Sequence, residues 1–287
     1  MKDVGVCIPF FAAGPAPRRN ENLRKTLDEL GSCDAKQVLI VECDMGHVCT
    51  ADLGSISHIV PGDVLWQKER LMQIGCEMLI KRGYKKIVCM DGDCLIRRKG
   101  WLQRASMLLN VNKAIQCFGR LRSIGDERTL VGTGAVAAWK RDGKLKRVTS
   151  GGVWGYHADI IKKPGLYQRC IVGSGDAVHY AGMFDPQSMV ETYRDWGYSL
   201  EMQQNLMLWA KRWQKAVAKR IDYVQCTAIF QSHGRRDGRG CGTRHLLLRD
   251  YNPSKDVKVV AGEGLRWSSK KPSLHRRVAE YIRHRAS

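Results

Sequence analysis

The chain has 287 residues, of which 44% are hydrophobic and 26% are charged. This composition excludes a largely disordered protein, and the length fits one elaborated α/β domain or two small ones. Its 48 Lys and Arg residues against 28 Asp and Glu residues give a formal net charge of +20, which excludes an acidic or neutral surface and attracts polyanions such as nucleic acid, anionic membranes or phosphorylated small molecules.

The apolar segments are too short for membrane insertion. No stretch approaches the roughly 18 apolar residues of a membrane span, and the first residues lack a signal-peptide pattern. The eleven Cys residues are scattered and odd in number. We therefore expect reduced thiols and a cytoplasmic protein, in the host cytoplasm if the source is viral.

The first part of the chain predicts strands that alternate with helices. Asn20 is the expected N-cap of the first helix, and Pro9 is expected to close the first strand. The predicted strands are 4–10, 37–41, 55–60 and 86–90, and the predicted helices are about 21–30 and 64–82.

The second part is less regular. Residues 186–221 are predicted to be mostly helical, with an exposed basic face at Lys211, Arg212, Lys215 and Lys219. A basic helix is predicted at 272–285. The predicted strands are 114–117, 131–139, 153–158 and 224–230, with a polar hairpin tip at 140–147.

This alternation predicts an α/β fold with a mostly parallel central sheet flanked by helices, followed by a basic helical C-terminal extension. Ligands of such sheets bind beyond the carboxyl ends of the strands. Glu42 and the triplet Asp91-Gly92-Asp93 are both expected at such ends. The sequence has neither a P-loop nor a GxGxxG motif after its first strand, which argues against a P-loop NTPase and a Rossmann dehydrogenase.

The Asp91-Gly92-Asp93 triplet is the sharpest chemical signal. It puts two carboxylates on one turn after an apolar strand, spaced to share a hard divalent ion such as Mg²⁺ or Mn²⁺. Such an ion keeps open positions for phosphate oxygens. The alternative is a turn with two solvated aspartates.

Two Gly residues present a further acid in Gly173-Ser174-Gly175-Asp176. Asp176 is a candidate general base, and equally a helix N-cap. Trp154 is a candidate stacking surface for a sugar or base, with a core position as the alternative.

His233 follows the strand predicted at 224–230 and is a candidate third metal ligand. It opens a loop rich in Gly and Arg that suits phosphate binding, because Arg makes bidentate contacts to phosphate. The arginines of this loop are Arg235, Arg236 and Arg239.

In order, these motifs resemble glycosyltransferases of the GT-A fold, close to the family-two group. The resemblance covers about residues 4–240 by order of motifs. It is carried by IPFF with RRNENL, the acid-terminated second strand, LWQKER, the D-x-D after KIVCM, the segment GGVWGYHADIIKKPGLYQRCIVGSGDAVH, and SHGRR.

The resemblance implies a nucleotide-sugar donor, with a UDP-sugar and UDP-glucose favoured, and an Mn²⁺ or Mg²⁺ ion. It implies an inverting displacement with Asp176 as the base. The family usually has Glu-Asp where this chain has Gly175-Asp176, which leaves the role of a second acid unfilled. The other implied roles are nucleotide contact by Glu42, diphosphate contact by Lys68 or Arg70 and by Arg235, Arg236 or Arg239, ribose or metal contact by Asp91, metal binding by Asp93 and His233, and acceptor binding at Gly152 and Trp154.

The resemblance divides the chain into a domain of residues 1–240, with a donor half of about 1–110 and an acceptor half of about 111–240, and a basic extension of 241–287 packed on it. Residues 230–287 hold 14 Lys and Arg but 5 Asp and Glu. Because Lys and Arg contacts to phosphate dominate nucleic-acid affinity, we expect DNA as the acceptor, with Trp267 and the C-terminal arginines along its backbone.

The concrete form of this hypothesis is sugar transfer to a hydroxymethylated pyrimidine, as in some bacteriophages. Open alternatives are a lipid acceptor at an anionic membrane surface, a cell-surface glycan or protein acceptor, a nucleic-acid-binding protein without activity, and a metal-dependent nuclease.

Overall fold

The protein is described by a computed structural model over residues 3–31, 33–124, 129–143, 148–231, 240 and 243–286. In the first part of the chain, strands and helices alternate. The elements are β1 (Val4–Phe11), α1 (Pro17–Glu29), β2 (Val38–Asp44), a 3-10 helix (Ala51–Ile56), β3 (Ser57–Pro61), α2 (Lys68–Lys81), β4 (Lys86–Met90), β5 (Cys94–Leu95) and α3 (Trp101–Leu109).

The second part contains most of the helices. The elements are β6 (Ala114–Gln116), β7 (Arg120–Ile124), β8 (Thr129–Thr133), α4 (Ala135–Asp142), β9 (Val153–His157), α5 (Ala158–Lys162), α6 (Gly175–Phe184), α7 (Pro186–Asp195), α8 (Leu200–Val217), β10 (Ile221–Tyr223), β11 (Thr227–Gln231), a 3-10 helix (Arg244–Leu248), β12 (Val257–Lys258), β13 (Arg266–Trp267) and α9 (Pro272–Ala286).

A seven-stranded sheet organises the molecule in the order β10-β6-β9-β4-β1-β2-β3. β9 is antiparallel to both of its neighbours, while the other pairs are parallel. A second sheet has the order β5-β11-β7-β8, and β12 pairs with β13. The prediction of an α/β fold with a mostly parallel central sheet flanked by helices is therefore confirmed.

Each face of the large sheet has its own apolar core, because successive side chains of a strand point to opposite faces. Cys7 of β1 lies in the core beside α2, whereas Val6 and Ile8 lie in the core beside α1 and α3. The first core also takes residues of α9, among them Leu274 and Val278.

Three predicted boundaries in the first part need correction. β1 continues through Pro9 to Phe11; β4 pairs with β1 only up to Cys7, so the missing N–H of the proline interrupts no ladder on that side. α1 begins at Pro17, a favoured first helical residue, and Asn20 lies inside it. α2 begins at Lys68 rather than at residue 64.

The strand predicted at 131–139 is wrong in its second half. β8 ends at Thr133 and α4 follows, where alanines favour a helix and the Val136 N–H donates to Gln116 Oε1 at 3.1 Å. The hairpin tip predicted at 140–147 is also wrong at 140–142, which belong to α4, while 144–147 lie outside the described residues.

The helical prediction for 186–221 is confirmed by α7 and α8, although the chain leaves the helix at Val217 and ends in β10. Lys211, Arg212, Lys215 and Lys219 are exposed as expected. Among the described residues, no helix has the length and apolar character that crossing a bilayer requires.

Candidate active site

A cleft of about 430 Å³ opens beyond the carboxyl ends of β1 and β4. Two sets of charged side chains line it. The carboxylate set is Asp91, Asp93 and Asp176, and the arginine set is Arg19, Arg244 and Arg285. Lys68 lines the same cleft, so acids and bases from distant parts of the sequence meet at the predicted edge of the sheet.

The turn after β4 is held by backbone contacts to neighbouring segments. The Asp91 N–H donates to Gly152 O at 3.0 Å, and the Asp93 carbonyl accepts from the Gln231 N–H at 2.8 Å. The Gly92 carbonyl accepts from Thr26 Oγ1 of α1 at 3.0 Å. Because these bonds use the main chain, the two carboxylates of the turn are left to face the cleft.

Lys68, the first residue of α2, connects the two acidic segments. Its Nζ lies 2.6 Å from Asp91 Oδ1 and 2.8 Å from Asp176 Oδ2. The lysine is 7% exposed, so its ammonium group depends on these carboxylates for solvation. One buried cation thereby joins the D-x-D turn to the predicted base.

Burial and charge perturb this cluster. Burial raises the pKa of Asp91 to about 6; Lys68 opposes the rise, and the charges of Asp176 and Asp93 add to it. For Lys68, burial lowers the pKa, but the Asp176 and Asp91 carboxylates outweigh it and hold the pKa above its ordinary value. Lys68 is therefore a permanent positive charge in the cleft, whereas Asp91 titrates within reach of neutral pH.

The segment Gly173–Asp176, here called the acid loop, leads into α6. Ser174 has a φ of 77°, in the left-handed region, and its Oγ accepts a bond from Arg244 Nη2 at 2.6 Å. Asp176 lies in the first turn of α6 and bonds to Lys68. The acid loop is thus held from two sides, by α2 and by the 3-10 helix that Arg244 begins.

Two members of the arginine set, Arg19 and Arg285, rest on aromatic rings. The Arg19 guanidinium lies 5.4 Å from the ring centres of both Phe10 and Phe11, and that of Arg285 lies 4.6 Å from the centre of Trp66. Such cation–π contacts hold a guanidinium in place without neutralising it. Burial lowers the pKa of Arg19, Asp93 opposes this, and Arg285 adds to it.

Two residues that were predicted to contact the nucleotide-sugar, Glu42 and Arg70, have side chains that bond to other parts of the protein. Glu42 lies inside β2, fully buried, and its carboxylate accepts from the N–H groups of Cys49 and Thr50 at 2.8 and 2.9 Å and from Thr50 Oγ1 at 2.6 Å. Arg70 donates to the carbonyls of Glu263 and Val260 and to Gln168. Neither residue is among the described residues that line the cleft, since Glu42 fixes the loop after β2 and Arg70 fixes residues 260–263.

The residues that were predicted to bind the acceptor do not lie together in the cleft. Trp154 is 2% exposed, and its Nε1 donates to Ser150 O at 2.7 Å, so the indole is a core group rather than a stacking surface. Gly152 supports the D-x-D turn through its carbonyl. Trp267 is stacked on His275, at 4.0 Å between ring centres, in a second groove that Arg276 and Arg283 also line. The residues beside Gly152 that line the cleft are Ser150 and Gly151.

Four predicted ligands follow β11 in the sequence. His233, Arg235, Arg236 and Arg239 lie outside the described residues. Of the arginines that do line the cleft, Arg19 and Arg244 were not predicted as site residues, and Arg285 was predicted only among the C-terminal arginines along a DNA backbone. Arg19 had one usable signal, its place just after the first strand, whereas Arg244 and Arg285 carry no local motif among 48 basic residues.

The carboxylate set supplies only part of a coordination shell for a divalent ion. Within the described ranges, no group of three or more His, Cys, Asp or Glu side chains could hold a metal. Asp91 and Asp93 nevertheless supply two hard oxygen ligands, and Mg²⁺ is commonly bound by one or two carboxylates with substrate phosphates. The turn therefore fits an ion that is completed by the phosphates of a ligand.

No family model and no curated protein matches the chain. Among solved structures, residues 1–349 of S. aureus TarS align with 9% identity over 87% of this chain and 72% of that one, with a TM-score of 0.47. The mannosyltransferase PcManGT from Pyrobaculum calidifontis, in complex with GDP-Man and Mn²⁺, aligns with 12% identity over 99% of this chain and 72% of that one, with a TM-score of 0.44. With similarity at this level, the function of the chain has to rest on the chemistry of the cleft.

Proposed function

We propose that this chain is a glycosyltransferase of GT-A type that moves a sugar from a nucleotide-sugar to a hydroxyl group. One observation carries the proposal: Lys68 joins the D-x-D turn to Asp176 in a cleft that also contains three arginines. A nucleoside diphosphate needs concentrated positive charge, and an acceptor hydroxyl needs a base nearby. Both requirements are met within one cleft.

The diphosphate of the donor would lie among Lys68 and the arginine set. Guanidinium groups bind phosphate through parallel N–H bonds, and their positive charge stabilises the negative charge that develops on a departing diphosphate. Trp66 and Phe11 form a T-shaped pair at 5.1 Å between ring centres and give this region an apolar floor.

A divalent ion, Mn²⁺ or Mg²⁺, would be held by Asp91 and Asp93. When bound, it supplies Lewis-acid stabilisation of the leaving diphosphate. Lys68 keeps Asp91 largely ionised against its raised pKa, because the ammonium favours the charged form. The third predicted ligand, His233, stays a prediction.

Asp176 is the base of the proposed reaction. The acceptor hydroxyl gives its proton to the Asp176 carboxylate while its oxygen forms a bond to the anomeric carbon. On the opposite face, the bond from that carbon to the diphosphate oxygen breaks and the electron pair leaves with the diphosphate. A single displacement of this kind inverts the anomeric centre.

We further propose that the acceptor is DNA, with a hydroxymethylated pyrimidine as the receiving base. The support is charge: the net charge is +20, and Arg276 and Arg283 of α9 are exposed beside Trp267 and His275 in the second groove. A target base inside a duplex would have to be flipped out to reach the cleft.

Not every C-terminal base is available to such a backbone. Arg277 pairs with Asp250 at 2.7 Å, and Lys271 pairs with the buried Asp256 at 2.8 Å. Arg285 lies in the cleft. Among the described arginines of α9, Arg276 and Arg283 are therefore the strongest candidates for phosphate contacts.

The donor assignment is tested with purified protein, a panel of UDP- and GDP-sugars, and Mn²⁺ or Mg²⁺. Release of nucleoside diphosphate is expected, with a UDP-sugar such as UDP-glucose favoured, and it should be lost in Asp93→Ala and on chelation. Absence of both binding and release would rule out the proposal. Cleavage of nucleic acid without any sugar nucleotide would favour a nuclease instead.

The acceptor assignment is tested by mass shift of hydroxymethylated and unmodified DNA. Binding should weaken roughly 10³-fold from about 50 to about 200 mM salt for about six phosphate contacts. Transfer to a lipid or a glycan, with DNA binding that is absent or insensitive to salt, would rule out the DNA acceptor and leave the donor chemistry standing.

A further inference from the structure

The backbone conformation at position 175 does not require the glycine that the sequence has there. It is the first residue of α6, and its φ lies outside the left-handed region that favours glycine. A Cβ built at this position, however, would lie 2.1 Å from Glu69 Oε1 and 2.2 Å from Glu69 Cδ. The carboxyl of Glu69 therefore occupies the space that a side chain at position 175 would need.

Glu69 is buried in an unusual way. The residue is 2% exposed, and its Oε1 has no hydrogen-bond partner among the described residues. Burial raises its pKa to about 8, the charge of Asp176 adds to the rise, and Lys68 opposes it. Burial therefore favours the protonated form of the carboxyl, beside a loop whose Asp176 is paired with Lys68.

An inert filler does not explain this choice. A buried carboxyl with an unsatisfied oxygen is costly, and an apolar side chain of similar volume would fill the space at lower cost. Strained or unsatisfied groups that persist in a fold are concentrated at functional sites. Glu69 meets that description because it contacts the acid loop next to the proposed base.

We propose that Glu69 is a positioning residue for Asp176: its carboxyl group, and not the volume of the side chain alone, fixes the start of α6 at Gly175 so that Asp176 faces the cleft. Consecutive residues of α2 then hold consecutive residues of α6: Lys68 bonds to Asp176, and Glu69 packs on Gly175. The inference rests on the proposed function, in which Asp176 is the base.

The geometry suggests a test in which the carboxyl is moved rather than removed. An Asp side chain places its carboxyl carbon about 1.5 Å from Cβ. Since the Cδ atom of Glu69 lies 2.2 Å from the Cβ position at residue 175, Gly175→Asp can bring a carboxyl into nearly the same space once Glu69 is shortened. The set of variants is Glu69→Ala, Glu69→Gln, Gly175→Asp and the double variant Glu69→Ala with Gly175→Asp.

Steady-state transfer is measured for each variant, with nucleoside diphosphate release as the readout. Glu69→Ala and Glu69→Gln are expected to lower kcat about 10- to 100-fold, the size of effect that follows from a misplaced catalytic group. The KM for the donor should stay within about twofold, because the diphosphate contacts are untouched. Gly175→Asp alone should also fail, through collision with Glu69.

The double variant is decisive, since it should recover most of the kcat that either single variant loses. Glu77→Gln is the matched control: the residue lies on the same helix, is exposed, and should leave kcat unchanged. Glu69→Gln preserves shape, so a folded Glu69→Gln protein provides the test even if the alanine variants do not fold.

Two results would overturn the inference. One is a Glu69→Gln enzyme with the wild-type kcat, which would show that the carboxyl only fills space. The other is a folded double variant that is no better than either single variant. A wild-type protein that releases no nucleoside diphosphate would instead overturn the proposed function and this inference with it, and so the two failures are distinguishable.

Discussion

The two charged sets of the cleft are built in different ways. Asp91 and Asp93 follow β4 directly, and Asp176 lies in the first turn of α6, next to a Lys68 that lies in the first turn of α2. The arginine set comes from α1, from the 3-10 helix at Arg244–Leu248 and from α9, whose positions depend on packing between segments far apart in sequence.

Different kinds of contact hold the side chains of the two sets in position. The carboxylate set is fixed by hydrogen bonds, as in the Asp91–Gly152 backbone contact, and by direct ion pairs to Lys68. The arginine set relies more on stacking and on the burial of apolar neighbours such as Ile282, which is 4% exposed. We therefore expect substitutions in the carboxylate set to lower mainly the rate of transfer. Substitutions in and around the arginine set should lower mainly the affinity for diphosphate and the free energy of unfolding.

The largest effect is expected for Asp176→Asn. Loss of the proposed base should lower the transfer rate by about 10²–10⁴-fold while nucleoside diphosphate still binds. Transfer kinetics and titration with UDP measure the two quantities separately. Asp195→Asn, at an exposed site on α7, is the control and should behave as wild type. An active Asp176→Asn enzyme would remove the distinction between the two sets.

A core substitution in α9 tests whether packing positions the arginines. Leu274 is fully buried, so Leu274→Ala should lower the free energy of unfolding by about 2–5 kcal/mol, measured by denaturant titration. Diphosphate affinity should fall with it. Leu208→Ala, at a residue 60% exposed on α8, should change neither quantity. Unchanged diphosphate affinity in a destabilised Leu274→Ala protein would contradict the dependence on packing.

A smaller effect is expected for Arg285→Ala. Hydrogen bonds to charged groups contribute about 1.5–3 kcal/mol, which corresponds to about 10- to 100-fold in affinity for a nucleoside diphosphate. Calorimetric titration with UDP and GDP measures this loss. Arg283→Ala removes an exposed charge from the same helix and should leave diphosphate affinity intact while weakening binding to DNA.

The last prediction concerns how the free energy of unfolding changes with pH. The pKa of Glu69 is raised from 4.5 to about 8 in the folded protein, so the folded state holds this proton more tightly than the unfolded chain does. The stability that the group contributes is complete below pH 4.5 and is lost as the pH rises to about 8.

Glu69→Gln cannot ionise and avoids this loss. Its unfolding free energy relative to wild type should rise between about pH 5 and about pH 8, by at most about 1.4 kcal/mol for each pH unit. Denaturant titrations at several pH values measure it, and Glu77→Gln corrects for the exposed carboxylates. A constant difference across this range would show that Glu69 is ionised throughout.

The sequence determined the class of fold and the place of the acids. Strong apolar runs such as 86–90 predicted strands, since burial on both faces of a parallel sheet requires continuous apolar sequence. The D-x-D triplet then had to lie at a strand end. The acid loop was also visible, because two glycines around Ser174 mark a tight turn. The predicted domain boundary at residue 240 stays a prediction.

Only the tertiary structure decided which bases meet these acids. Lys68 was one of two candidates in LWQKER, and the structure separates it from Arg70 because their side chains leave α2 in different directions. Trp154 and Glu42 are residue types that suit acceptor stacking and nucleotide contact, but both side chains are buried in the core. Arg19, Arg244 and Arg285 converge through contacts that span the whole chain, and a solvated arginine has the same local sequence as one turned into a cleft.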